Sequence, residues 1–240
     1  RLPQFAGIEV STLVSRLEAL LAAQRARIAG AERVANPGCY PQGFILLVRP
    51  LIEAGLLDPA QALSLHALSG YSGGGRVMIE TYQGFDAATR ERNNTRPYGL
   101  SLRHKHVPEM QYFSGVRRAP LFVPSVGCFA QGMLVHVPLF SDDLSGTPSA
   151  QSVSEVLAER YANEPFVRVL PAGAEAALEG GFLNATACND TNRIELMVFG
   201  HETQILLTAR YDNLGKGAAG AAIQNLNLML GREETLGLTA

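Results

Sequence analysis

Two apolar runs near the end of the chain, Ile194–Phe199 and Ile205–Tyr211, are joined by a short connection that contains Gly200-His201-Glu202-Thr203. In the first, Ile194, Leu196 and Val198 alternate with Glu195, Met197 and Phe199. That is the period of a strand, and so short a connection makes the two runs antiparallel neighbours in a hairpin. Further strand-like runs lie at Leu63–Leu68, Leu121–Val126, Met133–Phe140 and Phe166–Leu170, many of them rich in β-branched and aromatic residues. The economical architecture is α/β (α+β): a mostly antiparallel sheet packed with helices. Helices are expected over Ser11–Ile28, with Leu13, Leu17, Leu20, Leu21 and Ile28 on one stripe, and over Gly43–Leu57, bent or interrupted at Pro50. A third, Lys216–Leu230, carries Ala219, Ile223, Leu226 and Leu230 at helical spacing and is expected to lay that stripe on the sheet. Ser141–Ala150 reads as a surface loop.

With 240 residues, 47% of them hydrophobic, the chain can bury a substantial core as one large domain or two small ones. Its formal net charge of −2 gives no global electrostatic reason for nucleic acid or an anionic membrane as partner, so a small molecule is expected. Cys39, Cys128 and Cys188 are odd in number, widely spaced and form no C-x-x-C pair. That argues against a disulfide framework and a structural zinc site, and for a reducing compartment, the cytoplasm by default. No apolar run reaches the roughly 18–20 residues of a membrane span, and no signal-peptide pattern opens the chain.

The sharpest local signal is Asn36-Pro37-Gly38-Cys39-Tyr40-Pro41, a cysteine set between a tight turn and a helix. Unpaired N–H groups and the helix dipole at such a place favour a thiolate. An inert core cysteine is the bland alternative. Tyr98 and the segment His104-Lys105-His106-Val107-Pro108-Glu109 supply groups that manage protons, and His104 and His106 would share a strand face. No further histidine or cysteine at ligand spacing supports a metal there. The segment Ser69-Gly70-Tyr71-Ser72-Gly73-Gly74-Gly75-Arg76 reads either as a backbone cradle or as a flexible connector. Asn213, in Asp212-Asn213-Leu214-Gly215-Lys216-Gly217, either binds a ligand or caps a helix.

Taken together and in this order, Val34–Pro41, Ser69–Arg76, Tyr98, His104–His106, Pro108-Glu109, Gly132-Met133, Asp212–Gly217 and Asn225-Leu226-Asn227 resemble the N-acetyl-gamma-glutamyl-phosphate reductases. These are arginine-biosynthesis enzymes of the aspartate-semialdehyde dehydrogenase superfamily. The resemblance implies that Cys39 attacks the acyl phosphate, expels phosphate and holds a thioester that NADPH reduces to the semialdehyde. It implies His104 as acid and base, chosen over His106 on family position. Tyr98, Arg103, His106, Glu109 and Arg76 then stand as substrate contacts, and Ser69, Ser72, Gly73, Gly74, Asn213 and Lys216 as cofactor contacts. A homo-oligomer, dimer or tetramer, is implied by analogy.

Family members begin with a dinucleotide-binding unit, yet no G-x-G-x-x-G precedes Cys39 here. The expected division is residues 1–38 as a remnant of that Rossmann-type domain, 39–212 as the catalytic and dimerisation domain, and 213–240 as a C-terminal helix returning to the nucleotide-binding side. Gln42 stands where the family usually has threonine or serine. Two other readings stay open: a reductase of a carrier-linked aminoadipyl phosphate, and a non-catalytic remnant or interaction subunit.

Overall fold

The computed structural model of the chain describes residues 25–240. Up to residue 24, the helix expected over Ser11–Ile28 lies outside the described residues. Its last part is helix α1 (Arg25–Ala29), which buries Ile28.

Helix α2 (Cys39–Glu53) starts at the cysteine itself rather than at Gly43, and it continues through Pro50 instead of being interrupted there. A proline in a helix has no N–H to give the carbonyl four residues back. Tyr161 takes that place, its hydroxyl donating to the Leu46 carbonyl at 2.8 Å. Apolar residues cover most of α2, and Phe44, Leu46, Leu47, Val48 and Leu51 have no exposure at all. Each such side chain contributes about 1.5–3 kcal/mol by leaving water.

The expected strands all form. They are β1 (Ser64–Gly70), β3 (Leu121–Gly127), β4 (Met133–Phe140), β5 (Val167–Val169), β8 (Ile194–Gly200) and β9 (Gln204–Tyr211). Short β2 (Thr95–Pro97) joins them, and β6 (Leu178–Glu179) pairs with β7 (Phe182–Leu183) in a separate ribbon. The main sheet runs β2-β3-β1-β4-β9-β8-β5, with β1–β3 and β5–β8 parallel and the other neighbours antiparallel. Alternate residues of the central strands, such as Val135 and Val137 of β4 and Leu207, Ala209 and Tyr211 of β9, face α2 and form the core with it. The opposite face is more open, with Leu121 and Phe140 exposed.

Four helices were not anticipated: α3 (Gly75–Gln83), α4 (Ala87–Arg92), α5 (Val107–Ser114) and α6 (Ala150–Tyr161). The expected loop Ser141–Ala150 holds a 3-10 turn (Ser141–Asp143) and ends at Ser149, whose side chain caps α6 by accepting the Ser152 N–H.

The expected helix Lys216–Leu230 opens as a single π-helical turn (Gly215–Ala219) and continues as α7 (Gly220–Met229). Its stripe points the opposite way from the expectation. Ile223, Leu226 and Leu230 are 41%, 50% and 62% exposed, whereas Gln224, Asn225 and Asn227 are buried. The reason is what lies beneath them. The buried Lys216 ammonium donates to Gln224 Oε1, Gln224 Nε2 donates to Glu234 at 2.6 Å, and Arg25 holds both Glu164 and Glu234. Buried charge demands polar partners, and that demand outweighs the burial of three apolar side chains.

Candidate active site

Cys39 is the first residue of α2, and Gly38 before it is extended. Burial pushes the thiol up to about 11, against the opposing pull of the N–H groups of Tyr40 and Cys39 and of the Lys105 charge. The helix N-terminus acts as expected in sign, but burial is larger, so the resting group at neutral pH is a thiol. Glycines bound it on two sides. A Cβ at Gly38 would lie 2.6 Å from His106 Nε2, and a Cβ at Gly217 would lie 3.2 Å from that of Cys39. The Gly38 N–H donates to the buried Glu109 carboxylate at 2.9 Å.

His104 and His106 lie in a turn entering α5 rather than on a strand, so they do not share a strand face. Instead the His106 N–H donates to His104 Nδ1 at 3.2 Å, and the rings meet edge to face with centroids 4.9 Å apart. Tyr40 lies 5.9 Å from both imidazoles, and Tyr98 lies 5.8 Å from His104. The Tyr98 hydroxyl donates to that of Tyr40 at 3.1 Å, and burial raises both phenols above their ordinary range. Burial first, and Lys105 second, hold His104 below the usual imidazole value, which makes it neutral at pH 7. With Nδ1 accepting a bond, the neutral ring carries its proton on Nε2.

The glycine-rich segment is structured. Tyr71–Gly74 form a 3-10 turn, and Gly75, with φ of 75°, opens α3. The N–H groups of Gly70, Tyr71 and Ser72 are spent on the carbonyls of Gly132, Phe129 and Ala130. A Cβ at Gly70 would meet the Ala130 carbonyl at 2.5 Å, so this glycine admits the protein's own backbone. Asn213 locks the same junction: Oδ1 accepts the Gly132 N–H at 2.8 Å, and Nδ2 donates to Ser72 Oγ at 2.9 Å. A Cβ at Gly73 would stand 3.2 Å from Ser69 Oγ and 3.4 Å from Asn213 Nδ2, while Gly73 and Gly74 themselves are exposed.

Cys39, Tyr40, Tyr98, His104, His106 and Glu109 thus form one group, and Ser69, Ser72, Gly73 and Asn213 a second, which reaches the first through the turn that carries Gly217. Other candidates stand apart. The Arg76 side chain is 89% exposed and pairs with Glu80 one turn on, and Arg103 is exposed. Lys216 is buried on Gln224 with its ammonium over the Phe166 ring. Gln42 is fully buried, and neither of its amide atoms has a hydrogen-bond partner. Tyr211 was missed from the sequence, although the alternation of Ile205, Leu207 and Ala209 already placed it on the inward face. Among the described residues no group of three or more His, Cys, Asp or Glu is arranged to hold a metal ion, and no helix is long and apolar enough to cross a membrane.

Comparison with known proteins identifies the chain's relatives. The family described as "Semialdehyde dehydrogenase, dimerisation domain" matches residues 39–213. The chain is 48% identical over 221 residues to N-acetyl-gamma-glutamyl-phosphate reductase 2 of Nostoc sp., covering 90% of this chain and 69% of that protein. It is 49% identical over 211 residues to the N-acetyl-gamma-glutamyl-phosphate reductase of Brucella ovis, covering 87% and 67%. Among solved structures, aspartate semialdehyde dehydrogenase II from Vibrio cholerae shares the fold with a TM-score of 0.63 at 16% identity, covering 90% of this chain and 67% of that one. The aspartate semialdehyde dehydrogenase from Francisella tularensis does so with a TM-score of 0.64 at 12% identity, covering 89% and 70%.

Proposed function

The chain belongs to the N-acetyl-gamma-glutamyl-phosphate reductase family, and from that membership we propose that it carries the acyl-transfer half of an NADPH-dependent reduction of N-acetyl-glutamyl 5-phosphate to the semialdehyde in arginine biosynthesis. The observation that carries this reading is the thiol of Cys39 at the start of α2, flanked by two glycine backbones and a pair of imidazoles.

In this reading Cys39 Sγ attacks the acyl carbon. The S–C bond forms, the bond from carbon to the phosphate oxygen breaks, and phosphate leaves with the electron pair. A thiol held near 11 needs a base, and its proton passes to the His106 imidazole, whose Nε2 lies against Gly38 beside the cysteine. His104, with its proton on Nε2, donates to the acyl oxygen as negative charge develops there. Tyr98 and Tyr40 hold the His104 ring, and Glu109 holds Gly38, so the turn before the nucleophile stays in place. Arg76 and Arg103, both exposed, are suited to a substrate anion that approaches from solvent.

When bound, the nicotinamide cofactor supplies a hydride. The residues that fit its nicotinamide end are the exposed Gly73 and Gly74; Gly73 lies against Ser69 Oγ and Asn213 Nδ2, and Asn213 in turn holds Ser72. Lys216, buried one residue from Gly217, serves that side by holding the turn. We assign residues 1–38 to the nucleotide-binding unit, 39–212 to catalysis and dimerisation, and 213–240 to the segment that returns to the nucleotide side. Three free cysteines suit a reducing, cytoplasmic setting. The open sheet face, with Leu121 and Phe140 exposed, suits a homo-oligomer, dimer or tetramer.

The test needs no cofactor. Incubation with N-acetyl-glutamyl phosphate is expected to release phosphate in a stoichiometric burst and leave an acyl adduct on Cys39, seen by peptide mass. Cys39→Ser should slow the burst by about a thousandfold or more. A serine variant that releases phosphate at the wild-type rate sinks the nucleophile assignment. Competition with a carrier-linked aminoadipyl phosphate separates the two substrate readings, and NADPH oxidation reads the complete reaction.

A further inference from the structure

Tyr211 ends β9 on the face that packs against α2 and is wholly buried. Its hydroxyl makes two bonds to one helical turn, donating to the Cys39 carbonyl at 2.7 Å and accepting the Gly43 N–H at 3.3 Å. In a regular α-helix a carbonyl and the N–H four residues on are each other's partners, so the phenol grips the first turn of α2 at both of its ends. Gly43 makes room for this, because a Cβ there would stand 2.9 Å from the hydroxyl. The same strand end supplies the opposite jaw. The Asp212 carbonyl accepts the Gly217 N–H at 2.8 Å, and Gly217 lies against the Cβ of Cys39.

We propose that Tyr211 is a positioning residue for the nucleophile. It fixes the carbonyl of residue 39 from the sheet side while Gly217 bounds the Cβ, and together they set the direction in which the sulfur points. This rests on the reading of Cys39 as the nucleophile. It goes beyond that reading by naming the side chain that aims the thiol.

The helix supplies its own control. Tyr161 makes the same kind of bond to the Leu46 carbonyl of α2, away from the thiol. The experiment compares wild type, Tyr211→Phe and Tyr161→Phe in phosphate release from N-acetyl-glutamyl phosphate, in Cys39 alkylation by iodoacetamide mapped by peptide mass, and in urea unfolding. Tyr211→Phe is expected to slow acylation by about tenfold to a hundredfold, with KM for the acyl phosphate changed by less than about twofold. Alkylation should stay within about twofold, because a small electrophile meets the sulfur from many directions. Tyr161→Phe should lose comparable stability yet acylate within about twofold of wild type. Gly43→Ala, which keeps the phenol but crowds it, should also slow acylation, and it carries the test if Tyr211→Phe does not fold. The inference is overturned if Tyr211→Phe acylates at the wild-type rate, if Tyr161→Phe slows acylation as much, or if alkylation falls in step with acylation. A wild type that never acylates overturns the nucleophile reading itself.

Discussion

Helices α2 and α7 have similar apolar content in sequence and opposite fates in the fold. In α2 the apolar residues are inside and charge appears only near the end, where Arg49 pairs with Glu53 at 2.7 Å. In α7 the apolar stripe faces outward and the amides face inward. Periodicity announces that a helix has two faces. Which face goes in is decided by the neighbours, and the neighbours of α7 are Lys216, Glu234 and the Arg25–Glu164 pair.

The largest break in that comparison is expected at Gln224. Its side chain accepts from Lys216 and from Asn192 and donates to Glu234. Gln224→Leu would make the inner face of α7 apolar like that of α2, yet it should destabilise by roughly 2–4 kcal/mol in urea melts, because it strands a buried ammonium. A variant as stable as wild type would show that the polar side of α7 is not held by this network.

Next in size is a pH effect. Burial pulls Lys216 down to about 7 from an ordinary 10.5, against the attraction of Glu234 and Glu164. Between those values the unfolded chain binds a proton that the folded one does not, so stability rises with pH across that window. Below pH 7 the charge is buried in full and the penalty is complete. Lys216→Met, which cannot titrate, should therefore gain most on wild type below pH 7 and lose that advantage as the pH approaches 10. Paired urea titrations at pH 6, 8 and 9.5 read the trend, and a constant difference would contradict the buried-ammonium account.

The smallest effect should come from Ile223→Gln on the outer stripe, within about 0.5 kcal/mol. The same kind of change on α2, Leu47→Gln, places an amide in the core and should cost several-fold more. Equal costs would mean that the outer stripe of α7 is covered in solution.

The strands were legible because alternation over six to eight residues has few other causes, and Met133–Phe140 carried through without change. The start of α2 was half legible: the turn Asn36-Pro37-Gly38 announced it, but glycine at 43 drew the boundary inward. Pro50 misled because the rule it invokes concerns an orphaned carbonyl, and Tyr161, far along the chain, satisfies that carbonyl. Helix α6 had a readable signal in Ser149 followed by Val153, Leu157 and Tyr161, the cap and the buried stripe. Within the site, the cysteine and histidine segments announced themselves by residue type. Tyr211 and Gly217 act through a carbonyl contact and a missing side chain, which no residue type advertises.

The raised pKa of Cys39 also bears on how long the protein stays intact. Moving a thiol from 9.0 to about 11 lowers its thiolate population near neutrality roughly a hundredfold, and thiolate is the form that peroxides and stray electrophiles consume. Folding therefore keeps the sulfur in a chemically dormant state. A chain that unfolds, even briefly, surrenders that protection before it surrenders its sequence, so oxidative loss of the cysteine should track the fraction of time the molecule spends open.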